Sequence, residues 1–134
     1  MSNAIKVRET AYAPYSKFHV GTAFLLENGE VITGNNQENA AYPSGMCAER
    51  VAVWNASSSF SGVKILKIAI TASSKNNPVI EPVAPCGACR QTLSEYEINQ
   101  KTNIEIYFMG ESGNIIKTDS LLDLLPLAFD KSFL

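Results

Sequence analysis

The chain has 134 residues, a net charge of −2 at pH 7 and a hydrophobic share of 46%. This size predicts a single domain spanning residues 1–134, and the composition is that of a globular chain rather than a disordered one. The mild acidity gives no electrostatic basis for nucleic-acid binding. No apolar run approaches the length of a membrane span.

Helix and strand signals alternate along the sequence. An Asn-Gly turn marks a hairpin early in the chain, and two later helical stretches are each flanked by strand signals. The N-terminus has no apolar signal segment, so we expect the reducing cytoplasm as the compartment. The predicted elements, in chain order, are a short, clipped helix at 3–10, a loop at 11–18, strands at 21–26 and 31–34, a loop at 35–45, a helix from 46, a strand at 66–72, a loop at 73–85, a helix at 87–97, strands at 104–109 and 115–118, a short helix at 120–125 and a tail.

This order predicts an α/β fold with a mixed sheet. A helix that connects two strands of one sheet implies a parallel crossover, whereas the hairpin is antiparallel. The helices would then cover the sheet and shield its apolar strands.

The cysteines are three in number, and an odd count disfavours a closed set of disulfides. Cys86 and Cys89 form a C-x-x-C pair, and Cys47 lies in the motif CAER. In a reducing compartment, cysteines in such patterns are more often metal ligands or catalytic groups. Three thiolates hold zinc and leave its fourth position open, which is typical of a catalytic site.

Both cysteine motifs fall at predicted helix N-termini. The free N–H groups and partial positive charge there favour the thiolate form that binds metal. Arg50 and Arg90 follow the two motifs, and we expect both guanidinium groups to donate to the sulfurs. Glu49 lies two residues after Cys47, so its carboxyl group would reach the open metal position and move protons there.

Four separated motifs together are similar to one family. Cys47–Arg50 (CAER) and Pro85–Gln91 (PCGACRQ) resemble the signature of zinc nucleoside deaminases. Ala11–Gly21 and Gly34–Pro43 resemble the first segment and the ribose loop of the small cytidine deaminases, and Leu124–Phe129 resembles their C-terminal signature. The resemblance covers nearly the whole chain.

The resemblance implies a three-layer α/β/α sandwich around a five-stranded mixed sheet. It also implies one zinc ion per subunit on Cys47, Cys86 and Cys89, and a homotetramer, since a cysteine in the first ligand position marks the tetrameric form. The implied reaction is hydrolytic deamination of cytidine and deoxycytidine in pyrimidine salvage, with Glu49 as the proton carrier.

The resemblance also implies the substrate contacts. Asn36 and Glu38 would hold the ribose 3′-hydroxyl, and the Phe18 ring would pack on the pyrimidine. The Ala48 backbone would contact the base. Tyr42 and Phe129 would close the site of a neighbouring subunit. Gln91 and Arg50 would contact the zinc ligands from behind.

Other readings of the same residues remain open. Cys86 and Cys89 alone would suit a redox pair, and His19 would complete a structural zinc site. A binding module without catalysis is disfavoured by the presence of Glu49. A nucleic-acid deaminase is disfavoured because the composition is not basic and because a contact with a free 3′-hydroxyl excludes an internal nucleotide. A blasticidin-type aminonucleoside deaminase is the nearest alternative, although Asn36 and Glu38 favour cytidine.

Overall fold

The computed structural model describes residues 1–134. None of its helices combines the length and apolar character that crossing a bilayer requires. The elements are α1 (Ser2–Arg8), β1 (Phe18–Leu26), β2 (Val31–Asn35), α2 (Ala48–Ser59), β3 (Ile65–Ser74), α3 (Gly87–Gln100), β4 (Glu105–Met109) and β5 (Ile116–Thr118), with single 3₁₀ turns at Tyr42–Ser44, Leu121–Leu124 and Lys131–Phe133.

The five strands form one mixed sheet in the order β2-β1-β3-β4-β5. Strand β1 is antiparallel to both β2 and β3, while β3 and β4 are parallel and β5 returns antiparallel to β4. The predicted five-stranded mixed sheet and the α/β class are therefore confirmed. Because β2 and β3 both run opposite to β1, they run parallel to each other and end at the same edge of the sheet.

Two glycines show how the helices cover both faces of this sheet. A Cβ atom on Gly21 would lie 2.2 Å from the Ala4 carbonyl oxygen in α1, and one on Gly34 would lie 2.6 Å from the Ala48 carbonyl oxygen in α2. Gly34 pairs with Thr22, the neighbour of Gly21, so the two glycines face opposite sides of the sheet. Helix α1 therefore lies on one face and α2 on the other, with α3 beside α2.

The main core lies between the sheet and the pair α2 and α3. Val53 of α2 and Leu93 of α3 are fully buried against Ile68 and Ile70 of the central strand β3. This packing fixes the two helices side by side, with their N-termini at the edge where β2 and β3 end.

The start of one predicted strand and the type of one predicted helix differ from the structure. Strand β1 begins at Phe18 rather than residue 21, because Phe18 and His19 pair with Ser74 and Ser73 at the end of an extended β3. The predicted helix at 120–125 is a single 3₁₀ turn, although the Ser120 hydroxyl caps it as expected, accepting from the Leu122 N–H at 3.1 Å.

Candidate metal centre and active site

The two long helices begin in the same way. Cys47 is the N-cap of α2 and Cys86 is the N-cap of α3, and both have extended backbone conformations. Cys89 lies one turn further along α3 and is buried. The expected placement of the cysteine motifs at helix N-termini is confirmed, and the parallel course of β2 and β3 brings those termini together.

The three sulfur atoms lie within 4.8 Å of one another, and all three cysteines are free thiols. The Sγ atoms of Cys47 and Cys86 are 3.7 Å apart. A tetrahedral zinc ion with Zn–S bonds of about 2.3 Å separates its sulfur ligands by about 3.8 Å. The donor set and its spacing fit one zinc ion. The cluster does not include His19.

Arg50 approaches this cluster from the side of α2. Its Nη2 donates to the Cys47 sulfur at 3.6 Å, and its buried Nε has no hydrogen-bond partner. The guanidinium group therefore offers positive charge and a spare donor beside three sulfur atoms, as an anionic thiolate–zinc centre requires.

Arg90 donates to backbone carbonyl groups instead of a sulfur atom, so the expectation that it donates to sulfur is wrong. Its Nε donates to the Pro85 carbonyl oxygen at 2.7 Å and its Nη1 to the Leu124 carbonyl oxygen at 2.9 Å. Pro85 lies in the loop before α3, and Leu124 ends the 3₁₀ turn at Leu121–Leu124. Neither partner of Arg90 could be assigned from the sequence alone.

The pKa values of Cys47 and Cys89 are shifted in opposite directions. A hydrogen bond from the Cys89 thiol, together with the Arg50 guanidinium, lowers the pKa of Cys47 to about 5. The same contact with Cys47, together with burial, raises the pKa of Cys89. The thiolate form is therefore favoured at Cys47 and the thiol form at Cys89, so binding of a metal ion to all three sulfurs releases a proton from Cys89.

Glu49 lies in the first turn of α2 and is only 4% exposed. Burial raises the pKa of its carboxyl group, and the nearby Cys47 charge raises it further. The side chain lines the same cavity as Cys47 and Cys86. A nearly buried carboxyl group thus lies beside the thiols.

This cavity has a volume of about 760 Å³, which suits a small organic ligand. Val83 and Ala84, from the loop before Cys86, also line it, and no motif in the sequence points to them. The predicted site residues that line it, besides Cys47 and Cys86, are Phe18, Asn36, Glu38, Tyr42, Ala48, Glu49 and Arg50.

Asn36 fixes the start of β1 on the cavity wall. Its Oδ1 accepts from the Val20 N–H at 2.8 Å, and its Nδ2 donates to the Phe18 carbonyl oxygen at 2.9 Å. The side chain therefore brackets His19 and holds the backbone of β1 from Phe18 to Val20 beside the cavity.

Glu38 is held by the loop that precedes β1. Its carboxylate accepts from the Tyr15 N–H at 2.9 Å, the Ser16 N–H at 3.3 Å and the Ser16 hydroxyl. The Ser16 hydroxyl is the main cause that lowers the pKa of Glu38. Sequence reasoning missed Ser16 as an individual site residue, although it falls within the segment that resembles the small cytidine deaminases.

Two predicted residues do not line the cavity of their own chain. Phe129 is 57% exposed and its ring stacks on Phe133 with centroids 5.4 Å apart. Gln91 donates to the Phe129 carbonyl oxygen at 2.8 Å rather than to a sulfur atom. Both residues belong to one surface beside α3.

Comparisons with known proteins agree with this geometry. The profile of the family "Cytidine and deoxycytidylate deaminase zinc-binding region" matches residues 1–104. A cytidine deaminase of Sporosarcina psychrophila is 42% identical over 127 residues, which cover 94% of this chain and 85% of that one. The chain belongs to the cytidine deaminase family. Within that family, the solved cytidine deaminase of Burkholderia pseudomallei matches with a TM-score of 0.81 and 39% identity, over 96% of this chain and 94% of that one.

A second kind of relative shares the scaffold. A blasticidin-S deaminase of Bacillus cereus is 30% identical over 121 residues, which cover 87% of this chain and 81% of that one. This similarity is weaker than the 42% found for the Sporosarcina psychrophila cytidine deaminase. The cytidine deaminase assignment therefore takes precedence over the alternative that the sequence left open.

Proposed function

We propose that this protein hydrolyses cytidine and deoxycytidine to uridine and deoxyuridine and releases ammonia. One observation carries the proposal. Three sulfur atoms within 4.8 Å of one another adjoin a cavity that also contains Glu49 and, on its wall, Asn36 and Glu38. These groups are the parts that a zinc nucleoside deaminase requires.

The metal centre would be held by Cys47, Cys86 and Cys89. A zinc ion in this position supplies an activated water molecule next to the glutamate. The Arg50 guanidinium, in contact with the Cys47 sulfur, offsets part of the negative charge of three thiolates.

Glu49 is the proton carrier of the reaction. It takes a proton from the attacking water and passes it to N3 of the cytosine ring, while the new C–O bond forms at C4. It then takes the remaining proton from the oxygen added at C4 and delivers it to the amino group. The C4–N bond breaks, a C4=O double bond forms, and ammonia leaves. The balance is cytidine plus water to uridine plus ammonia.

The remaining cavity residues would orient the nucleoside. Phe18 packs on the pyrimidine ring, the Ala48 backbone meets the base, and Asn36 and Glu38 hold the 3′-hydroxyl that ribose and deoxyribose share. Arg50 is the only lysine or arginine that lines the cavity, and it faces Cys47. No cation is therefore free to bind a 5′-phosphate, which favours nucleosides over nucleotides.

We also propose that four copies assemble in the cytoplasm, with Tyr42 and Phe129 closing a neighbouring subunit's site. The large exposure of apolar side chains near the C-terminus supports an assembly, because such surfaces are usually covered. A reducing compartment would keep the three cysteines free. The exposed apolar residues are Leu127, Phe129, Phe133 and Leu134.

The test is turnover of cytidine, deoxycytidine, cytosine, CMP and blasticidin S by purified protein, with zinc content measured on the same preparation. Turnover of the two nucleosides alone is expected. Turnover of blasticidin S alone would move the assignment to the aminonucleoside deaminases. Protein that binds zinc but converts none of these compounds would contradict the proposal.

A further inference from the structure

Helix α3 carries the two cysteines of the C-x-x-C pair and also holds the last part of the chain, residues 120–134, which we call the C-terminal segment. Four side chains of α3 make these contacts, and they are spread along the whole helix. The pairs are Arg90 with Leu124, Gln91 with Phe129, Glu97 with Ser120, Leu121 and Leu122, and Asn99 with Lys131.

Glu97 anchors the start of the C-terminal segment. It is 3% exposed, and its carboxylate accepts from the Leu121 N–H at 2.8 Å, the Leu122 N–H at 3.3 Å and the Ser120 hydroxyl. Leu121 is fully buried. A buried carboxylate with several donors is costly to disrupt, so the 3₁₀ turn that ends at Leu124 is firmly placed.

Arg90 connects this anchored turn to the loop that ends at Cys86. It follows Cys89 directly, and its Nε donates at 2.7 Å to the carbonyl oxygen of Pro85, the residue before Cys86. Its Nη1 donates at 2.9 Å to the carbonyl oxygen of Leu124. One planar guanidinium group thus connects the loop that ends at Cys86 to the C-terminal segment.

We propose that Arg90 is a positioning residue of the metal centre, which holds the Pro85–Cys86 turn in place by anchoring it to the docked C-terminal segment. A loop that is already ordered loses less conformational entropy when it binds a metal ion. Metal binding and docking of the C-terminal segment are then linked, and the linkage is reciprocal. This inference rests on the zinc site of the proposed function.

The first test measures zinc affinity by competition with a chromophoric chelator. Arg90→Met removes both hydrogen bonds, and its zinc affinity is expected to fall by about 10- to 100-fold. Arg90→Lys keeps the charge but lacks the planar fork, so an intermediate loss is expected.

Lys131→Ala is the matched control. It removes another contact between α3 and the C-terminal segment, the 2.8 Å bond to Asn99, at the end of the helix remote from the cysteines. Its zinc affinity is expected to stay within twofold of the parent's, because the Glu97 bonds hold the turn that carries Leu124 without the Lys131 contact. An affinity within twofold of the parent for Arg90→Met, or an equal loss for Lys131→Ala, would overturn the proposal.

The second test uses the parent chain and stands even if Arg90→Met does not fold. Amide hydrogen exchange at Leu121, Leu122 and Leu125 is followed with and without zinc. Removal of zinc is expected to speed exchange there by about tenfold while the hairpin of β1 and β2 is unaffected. Equal rates in the two states, or a rise shared evenly with the hairpin, would contradict the linkage.

Neither readout involves a nucleoside. Failure of the deamination assay would therefore leave both measurements interpretable. Conversely, failure of the Arg90 tests would leave the proposed activity standing.

Discussion

At the scale of single residues, Glu49 is a buried carboxyl group beside three thiols. Glu49→Gln keeps its shape and removes its ability to carry protons. Turnover of cytidine is expected to fall by about 10²- to 10⁴-fold, the usual contribution of a general acid–base group. Zinc content and the circular dichroism spectrum are expected to match the parent. Near-normal turnover would show that protons move by another route.

Ser16 gives a prediction specific to the sugar. Its hydroxyl donates to Glu38 and holds that carboxylate in its charged form. Ser16→Ala is expected to lower kcat/KM for cytidine by about 10- to 150-fold, mainly through KM, because a hydrogen bond to a charged group contributes about 1.5–3 kcal/mol.

The effect of Ser16→Ala depends on the hydroxyl that Glu38 would bind. With 3′-deoxycytidine as substrate, the variant and the parent are expected to have similar kcat/KM. Ser58→Ala removes an exposed hydroxyl that donates to the Asn55 carbonyl on α2, and it serves as the control. An equal loss on both substrates would place Ser16 in loop folding rather than in sugar recognition.

At the scale of elements, the metal centre depends on two helix N-termini meeting at one sheet edge. Replacing Cys47, Cys86 or Cys89 with alanine is expected to leave the purified protein without zinc, because two thiolates hold the ion far less tightly than three. His19→Ala is the control and is expected to retain zinc. Full zinc occupancy in any of the cysteine variants, measured by elemental analysis, would refute the ligand set.

The sequence predicts an element well where residues close together in the chain determine where it begins. The placement of Cys47 and of the Cys86–Cys89 pair at helix N-termini follows from local helix patterns, and the structure has both. The start of β1 did not follow, since Phe18 joins the strand only by pairing with Ser74, which is distant in sequence and polar.

Arg90 illustrates the same limit within the site. Its place after Cys89 suggested a sulfur partner, as for Arg50, but its acceptors include a carbonyl from Leu124, which is 34 residues away. The role of Ser16 could not be predicted either, because its partner Glu38 is 22 residues away in the sequence. Residue type and spacing predict which groups meet at a helix terminus, whereas the direction of a long side chain depends on segments that arrive from elsewhere in the fold.

At the scale of the whole molecule, Phe129 bears on the proposed assembly. It is a predicted substrate contact, yet its ring lies outside the cavity of its own chain, exposed and stacked on Phe133. If it closes a neighbour's site, Phe129→Ala is expected to lower kcat/KM for cytidine by about tenfold or less, the scale of an aromatic contact of about 0.5–1.5 kcal/mol. Size-exclusion chromatography with light scattering would show whether the assembly is retained.

Mixed assemblies separate a contact within one subunit from a contact between subunits. Phe129→Ala and Glu49→Gln chains with different tags are expressed together, and hybrids are isolated through both tags. Only the Phe129→Ala chains have a working proton carrier, and in a hybrid they adjoin chains with an intact Phe129. The kcat/KM per Glu49-bearing chain is therefore expected to rise severalfold above that of the Phe129→Ala protein. An unchanged value in hybrids of confirmed composition would mean that Phe129 acts only within its own subunit or not at the site at all.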